Sequence, residues 1–448
     1  MTDKTPPLFP MDSISDLSAA LGAALQRAYT TDRPIPEASI TLPTIPTSAS
    51  APEHLSELWR LIVDGSAQLG SPWMSGHMDT APHPAAAMTQ AVVAALNNNM
   101  LFRELSPIAS QIEEEIIAFF AKAMGLDDGW VGTFASGGSI ANLTALFAAM
   151  GGYSGVEDRD CYHVLVPESG HLSLTKSARI LGIPDARIHK VTCDDAGRMD
   201  LAALEAALSG LPATARPVVT SVLGTTIHGS VDDVASIGAI CQKYNAWHHV
   251  DAIYGAALAF SETHRHFLAG LSDADSIVLG PQKWMYVPRV SAIVMMKDAT
   301  AFDDRLGVAI PYSLSDQPHR GTWGIQGSRP ADAVVLWVAL QAMGTTALGA
   351  AVDRSIAQAK HFNDLLSQSK VLTPAHTPDL NLQVFRAGDV DPDGTRLGAL
   401  QSRLTHAGRT WMSVSRWRNE TYLRAVLLSP RLTDDHLAAF VRDIEAAL

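Results

Sequence analysis

Ser276-Ile-Val-Leu-Gly-Pro-Gln-Lys-Trp-Met285 is a short apolar run, a Gly-Pro break, and a lysine set among Pro, Trp and Met. An apolar run of this length bounded by turn residues reads as a buried strand. The same form recurs at 162–166, 187–191, 218–223, 247–250 and 291–295. Helical spacing fills several of the intervals, as at 201–208 and 234–244. Apolar strands alternating with helices predict an α/β fold with a mainly parallel central sheet covered on both faces. In such sheets ligands gather at the strand ends, where the lysine at 283 falls.

The flanking sequence is organised differently. Residues 13–29 have helical spacing, with Leu17, Leu21 and Leu25 on one face, and 34–52 is rich in Pro, Ser and Thr. This leading part reads as a helix and an extended connector, one that wraps a partner subunit or simply links. A helix is marked by Ser106 as its cap, Pro107 in its first turn, a stripe of Ile112, Ile116, Phe119, Phe120 and Ala123, and Gly125 at its end. Glu113-Glu114-Glu115 reads as its solvated face. After 330 the pattern changes to a long helix, short strands near 382–385 and 423–428, and a closing helix from Thr433. The expected division is an N-terminal segment over 1–90, a large α/β domain over 91–329 and a small α+β domain over 330–448.

Composition narrows the function. The chain has 448 residues, 47% hydrophobic and 18% charged, so it can bury a large core. A formal charge of −13 argues against nucleic acid or an anionic membrane as the main partner. Three scattered cysteines (Cys161, Cys193, Cys241) make no disulfide framework, and the start has no apolar signal core. A cytoplasmic protein is expected. No His or Cys spacing suggests a metal: His248 and His249 point to opposite faces of a strand, and His264 and His266 lack a third ligand.

Four features at strand ends carry chemistry. Ala135-Ser-Gly-Gly-Ser-Ile-Ala-Asn142 opens a helix with two glycines and a hydroxyl, a cradle for phosphate or merely a tight turn. His171, in Glu168-Ser-Gly-His-Leu-Ser173, is a ring-stacking imidazole or a satisfied structural one. Asp251 follows an apolar strand and needs a partner, either a protonated ring nitrogen or the next helix start. Lys283 is a desolvated amine suited to imine formation, or a lysine that snorkels to the surface. Each is ambiguous singly. Together they are what pyridoxal 5'-phosphate requires: a phosphate site, a clamp on the ring, an acid for the pyridine nitrogen and a lysine for the aldehyde.

The sequence resembles the group II pyridoxal phosphate-dependent decarboxylases, the glutamate, aromatic amino acid and diaminobutyrate decarboxylases. The likeness runs from Ser71-Pro-Trp-Met-Ser-Gly-His-Met78 and Ala95-Leu-Asn-Asn-Asn-Met100 through Gly224-Thr-Thr226, His249-Val-Asp-Ala-Ile-Tyr-Gly255 and Gln282-Lys-Trp284 to Tyr422-Leu-Arg424. It implies a fold-type I homodimer with shared active sites, acting on an amino acid. It implies that Lys283 carries the cofactor as an internal aldimine, Asp251 keeps the pyridine nitrogen protonated, His171 stacks on the ring, and Gly138, Ser139 and Thr226 hold phosphate or ring substituents. The implied reaction is loss of CO2 from an L-amino acid to give the amine.

Three positions depart from the family pattern. Gln282 stands where a histidine usually precedes the lysine, Ile253 where a small Ala lies under the ring, and Gly280 where an Asn is usual. Tyr312, in Ile310-Pro-Tyr-Ser-Leu-Ser315, is the candidate for the family's mobile-loop proton donor. The departures keep open an oxidative decarboxylation–deamination or another carbon–carbon lyase or transfer reaction. A catalytically silent binding protein is the reading from another class. Arg103 is a candidate for a substrate carboxylate, with a surface ion pair as its alternative.

Overall fold

The structure is a computed structural model that describes residues 14–36, 41–45, 52–156, 158–307 and 320–448. Its central sheet comprises β1 (Val131–Ala135), β2 (Tyr162–Pro167), β3 (Ile188–Val191), β4 (Arg216–Val222), β5 (Trp247–Ala252), β6 (Ser276–Leu279) and β7 (Ala292–Met296). The spatial order is β1-β7-β6-β5-β4-β2-β3. Only β7 opposes its neighbours β1 and β6; the pairs from β6 to β3 are parallel. The mainly parallel α/β sheet expected from the sequence is present. The sequence does not mark 131–135 as a strand, because Gly132 and Thr133 interrupt its apolar character.

The sheet is buried on both faces because alternate residues of the same strands enter different cores. Ile277, Leu279, Ile293 and Met295 pack with the helix Pro107–Ala123 and with Asp332–Met343. Val278, Ala292, Val294 and Met296 pack with the helix Gly138–Ala149 on the opposite face. Double-sided burial is why these strands read as continuous apolar runs rather than as alternating ones.

A second, antiparallel sheet is formed by β8 (Leu372–Pro374), β9 (Leu382–Ala387), β10 (Ser413–Trp417) and β11 (Glu420–Val426), in the order β10-β11-β9-β8. The helix Thr345–Gln368 joins the two bodies. Leu348, Val352 and Ile356 belong to the larger core, and Ala359, Phe362 and Leu366 to the smaller. The segment around Ser75 runs along the second sheet: Ser75 N–H donates to Trp411 O, and Ser75 O accepts from Val426 N–H. Gly76 allows this approach, because a Cβ there would lie 1.9 Å from the Trp411 ring.

Two local expectations are corrected. Glu113 is not on a solvated face but fully buried, where its carboxylate takes Arg329 Nη2 at 2.8 Å and Phe134 N–H at 3.0 Å. Burial of that charge is tolerable because it is paired and hydrogen-bonded. Ser106 occupies the cap position but makes no side-chain cap; its hydroxyl donates to Asn99 O at 3.0 Å. No single helix among the described residues is long and apolar enough to cross a membrane.

Candidate active site

A cleft of about 370 Å³ lies at the carboxyl ends of the central strands and faces the second sheet. Gly138, Ser139, His171, Thr226, Asp251, Ile253, Gln282 and Lys283 all line it. Each follows a strand: the Gly138 helix follows β1, His171 β2, Thr226 β4, Asp251 ends β5 and Lys283 follows β6. The four features singled out in the sequence therefore converge. Tyr312 lies outside the described residues.

The Gly138 helix start has the form of an anion cradle. Gly137 has φ +88°, a conformation open to glycine, and the first helical hydrogen bond is Ala141 N–H to Gly137 O. The preceding amides face the helix end, where the dipole is positive. Ile253 accounts for the second glycine: a Cβ on Gly138 would lie 3.1 Å from its Cδ1. It also meets the Gly280 departure, since a Cβ at 280 would be 2.8 Å from Ile253 Cγ2 and 2.4 Å from its carbonyl oxygen.

Asp251 is 5% exposed. Asn142 Nδ2–H donates to its Oδ2 at 2.9 Å and Ile253 N–H to its Oδ1 at 3.1 Å. Burial pushes its pKa up; these hydrogen bonds and the charges of His171 and Lys283 pull it back. His171 caps the helix Leu172–Ile180, its Nδ1 accepting from Ser173 N–H at 3.2 Å. Burial lowers its pKa. Lys283 is largely enclosed and its pKa is lowered, first by desolvation, with Asp79 opposing. Its Nζ stands 3.6 Å from Asp79 Oδ1, and Asp79 also pairs with Arg289. The lysine does not snorkel into open water. Gln282 Oε1 accepts from Ser291 N–H at 2.7 Å, which fixes the amide and leaves its NH2 as a pH-independent donor.

Sequence reasoning gave no role to His77, Asp79, Asn142, Arg289 or Arg424, all of which line the cleft. Arg424 is 5% exposed on β11. Its Nη1 donates to Gly76 O at 2.8 Å, while Nε has no partner. Burial lowers its pKa to about 10, which leaves it cationic at neutral pH. A lone arginine in the apolar stretch Tyr422-Leu-Arg-Ala-Val426 was the available signal. Arg103, the earlier candidate for a carboxylate, pairs with Glu114 at 2.7 Å and does not line the cleft. His248 bonds Ser221 and His249 bonds Asn142 and Ser276, on opposite faces as expected. No group of three metal-ligating side chains occurs among the described residues.

A glycine-opened helix start, a buried carboxylate, an imidazole and a desolvated lysine around one cleft suit a phosphorylated aldehyde cofactor with a basic ring nitrogen. The conserved domain of the pyridoxal-dependent decarboxylases matches residues 41–387. The chain belongs to that family: it is a pyridoxal phosphate-dependent carboxy-lyase acting on an amino acid. The L-2,4-diaminobutyrate decarboxylase of Rhizobium meliloti is 28% identical over 405 residues, covering 88% of this chain and 81% of that protein. Crystal structures of mouse CSAD (TM-score 0.89, 22% identity, 98% of this chain and 99% of that one) and of Oryza sativa TDC with PLP and tryptamine (TM-score 0.89, 20% identity, 99% and 98%) share the fold.

Proposed function

We propose that the protein removes the α-carboxylate of an L-amino acid as CO2, with Lys283 Nζ as the nucleophile toward the cofactor aldehyde. The observation that carries this is the facing of a desolvated lysine and a buried, hydrogen-bonded aspartate across one cleft. When bound, pyridoxal phosphate supplies the aldehyde that captures an amine and a cationic ring that accepts the electron pair released on bond cleavage. Asp251 holds a proton at the ring nitrogen. His171 covers the ring face and keeps water away. Gly138 and Ser139, at the helix start, and Thr226 bind the phosphate, and the fixed Gln282 amide donates beside them. Ile253, packed against Gly138 and Gly280, would bound the cofactor on one side of the cleft.

Arg424 orients the substrate α-carboxylate through its unpartnered Nε–H, a charge-assisted hydrogen bond. The buried position of that donor supports the role, because an unpaired arginine nitrogen is costly to leave without an acceptor. Tyr312 is proposed as the proton donor to the substrate carbon. A homodimer with shared sites is supported by an exposed apolar stripe, Met88, Val92 and Leu96, on the helix Pro84–Leu96. We retain the division into 1–90, 91–329 and 330–448, supported by the two separate sheets, with the helix Thr345–Gln368 bridging both cores. A cytoplasmic location is supported by three free cysteines.

The test is a screen of the common L-amino acids for CO2 release by the loaded enzyme, with amine, ammonia and peroxide measured together. One equivalent of amine per CO2 supports decarboxylation. Ammonia and peroxide in place of amine overturn it in favour of oxidative deamination. Failure to bind pyridoxal phosphate supports the silent binding protein.

A further inference from the structure

Asn142 lies in the middle of the apolar helix Gly138–Ala149 and is 1% exposed. Its Oδ1 stands 2.9 Å from His249 Nε2, and its Nδ2 stands 2.9 Å from both Asp251 Oδ2 and Ser173 Oγ. The carboxylate only accepts, so the amide nitrogen faces Asp251 and the amide oxygen accepts from His249 Nε2–H. At the far end Trp247 Nε1–H, which only donates, reaches Ser276 Oγ at 2.9 Å. Ser276 Oγ–H then donates to His249 Nδ1 at 2.9 Å. With the amide nitrogen turned to Asp251 and His249 neutral, its Nε2 carries the proton and its Nδ1 accepts, so one donor direction runs from Trp247 through Ser276, His249 and Asn142 to Asp251. A branch leaves the same amide: Asn142 Nδ2–H donates to Ser173 Oγ, and Ser173 O–H donates to His171 Nδ1 at 2.7 Å.

We infer that Asn142 is the positioning residue of the cofactor site. One side-chain amide, locked by the Nε2–H of a neutral His249, orients both the carboxylate beneath the ring nitrogen and the imidazole over the ring face. The inference rests on the cofactor site proposed above. His249 is fully buried, and burial lowers its pKa to about 3, so its donor stays in place across the physiological range. Were the amide reversed, its oxygen would face the Asp251 carboxylate and two acceptors would meet in a dry site. The Asp251 carboxylate disfavours that reversal, and His249 Nε2–H holds the amide oxygen on the other side. Without Asn142 the carboxylate would keep only the Ile253 N–H, and burial would favour its protonated form, which cannot hold a proton on the ring nitrogen.

The test uses the full chain loaded with pyridoxal phosphate. Selective 15N-histidine labelling reads each ring's tautomer, with the His249 signal assigned by its loss in His249→Gln. His249 is expected to be neutral and protonated on Nε2 across roughly pH 5–9; a proton on Nδ1 overturns the inference, whatever the variants do. The dissociation constant for pyridoxal phosphate is then measured by dialysis in wild type, Asn142→Leu, His249→Gln and His249→Phe, with thermal midpoints of the unloaded forms alongside. Loss of hydrogen bonds to a charged group predicts a constant raised about tenfold or more in Asn142→Leu. His249→Gln, whose amide can still donate to Asn142, is expected to bind more tightly than His249→Phe at equal thermal midpoint. Wild-type affinity in Asn142→Leu overturns the positioning role while the cofactor site stands. Wild-type protein that binds no pyridoxal phosphate overturns the site itself.

Discussion

At the amino-terminal ends of β2, β4, β5 and β6 lies a groove of about 610 Å³, lined by Tyr162, Arg216, Trp247, Asp275 and Arg305 among others. The carboxyl-terminal cleft is smaller, about 370 Å³. The difference lies in how far the charges are already satisfied. In the groove Arg216 pairs with Asp158 at 2.9 Å and lies over the Tyr162 ring, and Arg305 lies over Trp247. In the cleft Arg424 Nε has no partner and Lys283 stands 3.6 Å from Asp79. Charges that are buried yet incompletely bonded are expensive for a fold to keep, and a ligand completes them. Between these two, the larger cavity is not the one with the unsatisfied charges.

That contrast can be broken by mutation. Replacing Lys283 with Ala should reduce CO2 release to background. Asp251→Asn should cost about 10²–10³-fold in kcat by removing the charge that holds the ring nitrogen protonated, with only a minor change in KM. Arg424→Gln should raise KM for the substrate by about ten- to a hundredfold, the worth of a charge-assisted hydrogen bond. Asp79→Asn should act on pH rather than on extent. Asp79 raises the Lys283 pKa against desolvation, so its removal lowers that pKa further. The amine then becomes free at lower pH, and the midpoint for capture of added pyridoxal phosphate by the unloaded protein should move down. Arg216→Gln, at the other end of the sheet, should leave kcat/KM and the thermal midpoint essentially unchanged, because its ion pair with Asp158 is exposed to solvent. A large loss of activity there would dissolve the distinction between the two ends.

The sheet was legible because double-sided burial writes each inner strand as an unbroken apolar run, as at 276–279. The cleft residues carried by the chain just after those strands were legible for the same reason: His171, Asp251 and Lys283 interrupt or follow apolar runs where an unsatisfied polar group needs an explanation. Residues brought in from distant sequence were not. Arg424 comes from the second sheet, and His77 and Asp79 from a segment threaded beside Trp411, and no local pattern says where these meet β5 and β6. Asn142 was quoted within a motif, yet its partners Asp251 and His249 lie more than a hundred residues away. Glu113 was misread because its neighbours Glu114 and Glu115 resemble a solvated face, while its partner Arg329 is 216 positions away.

Borohydride treatment of the pyridoxal phosphate-loaded protein, followed by peptide mapping, tests the site most directly. A pyridoxyl group on Lys283 alone, absent from Lys283→Ala, is the expected result. A pyridoxyl group on any other lysine, or none on the chain, would contradict the assignment of the cofactor to the carboxyl-terminal cleft.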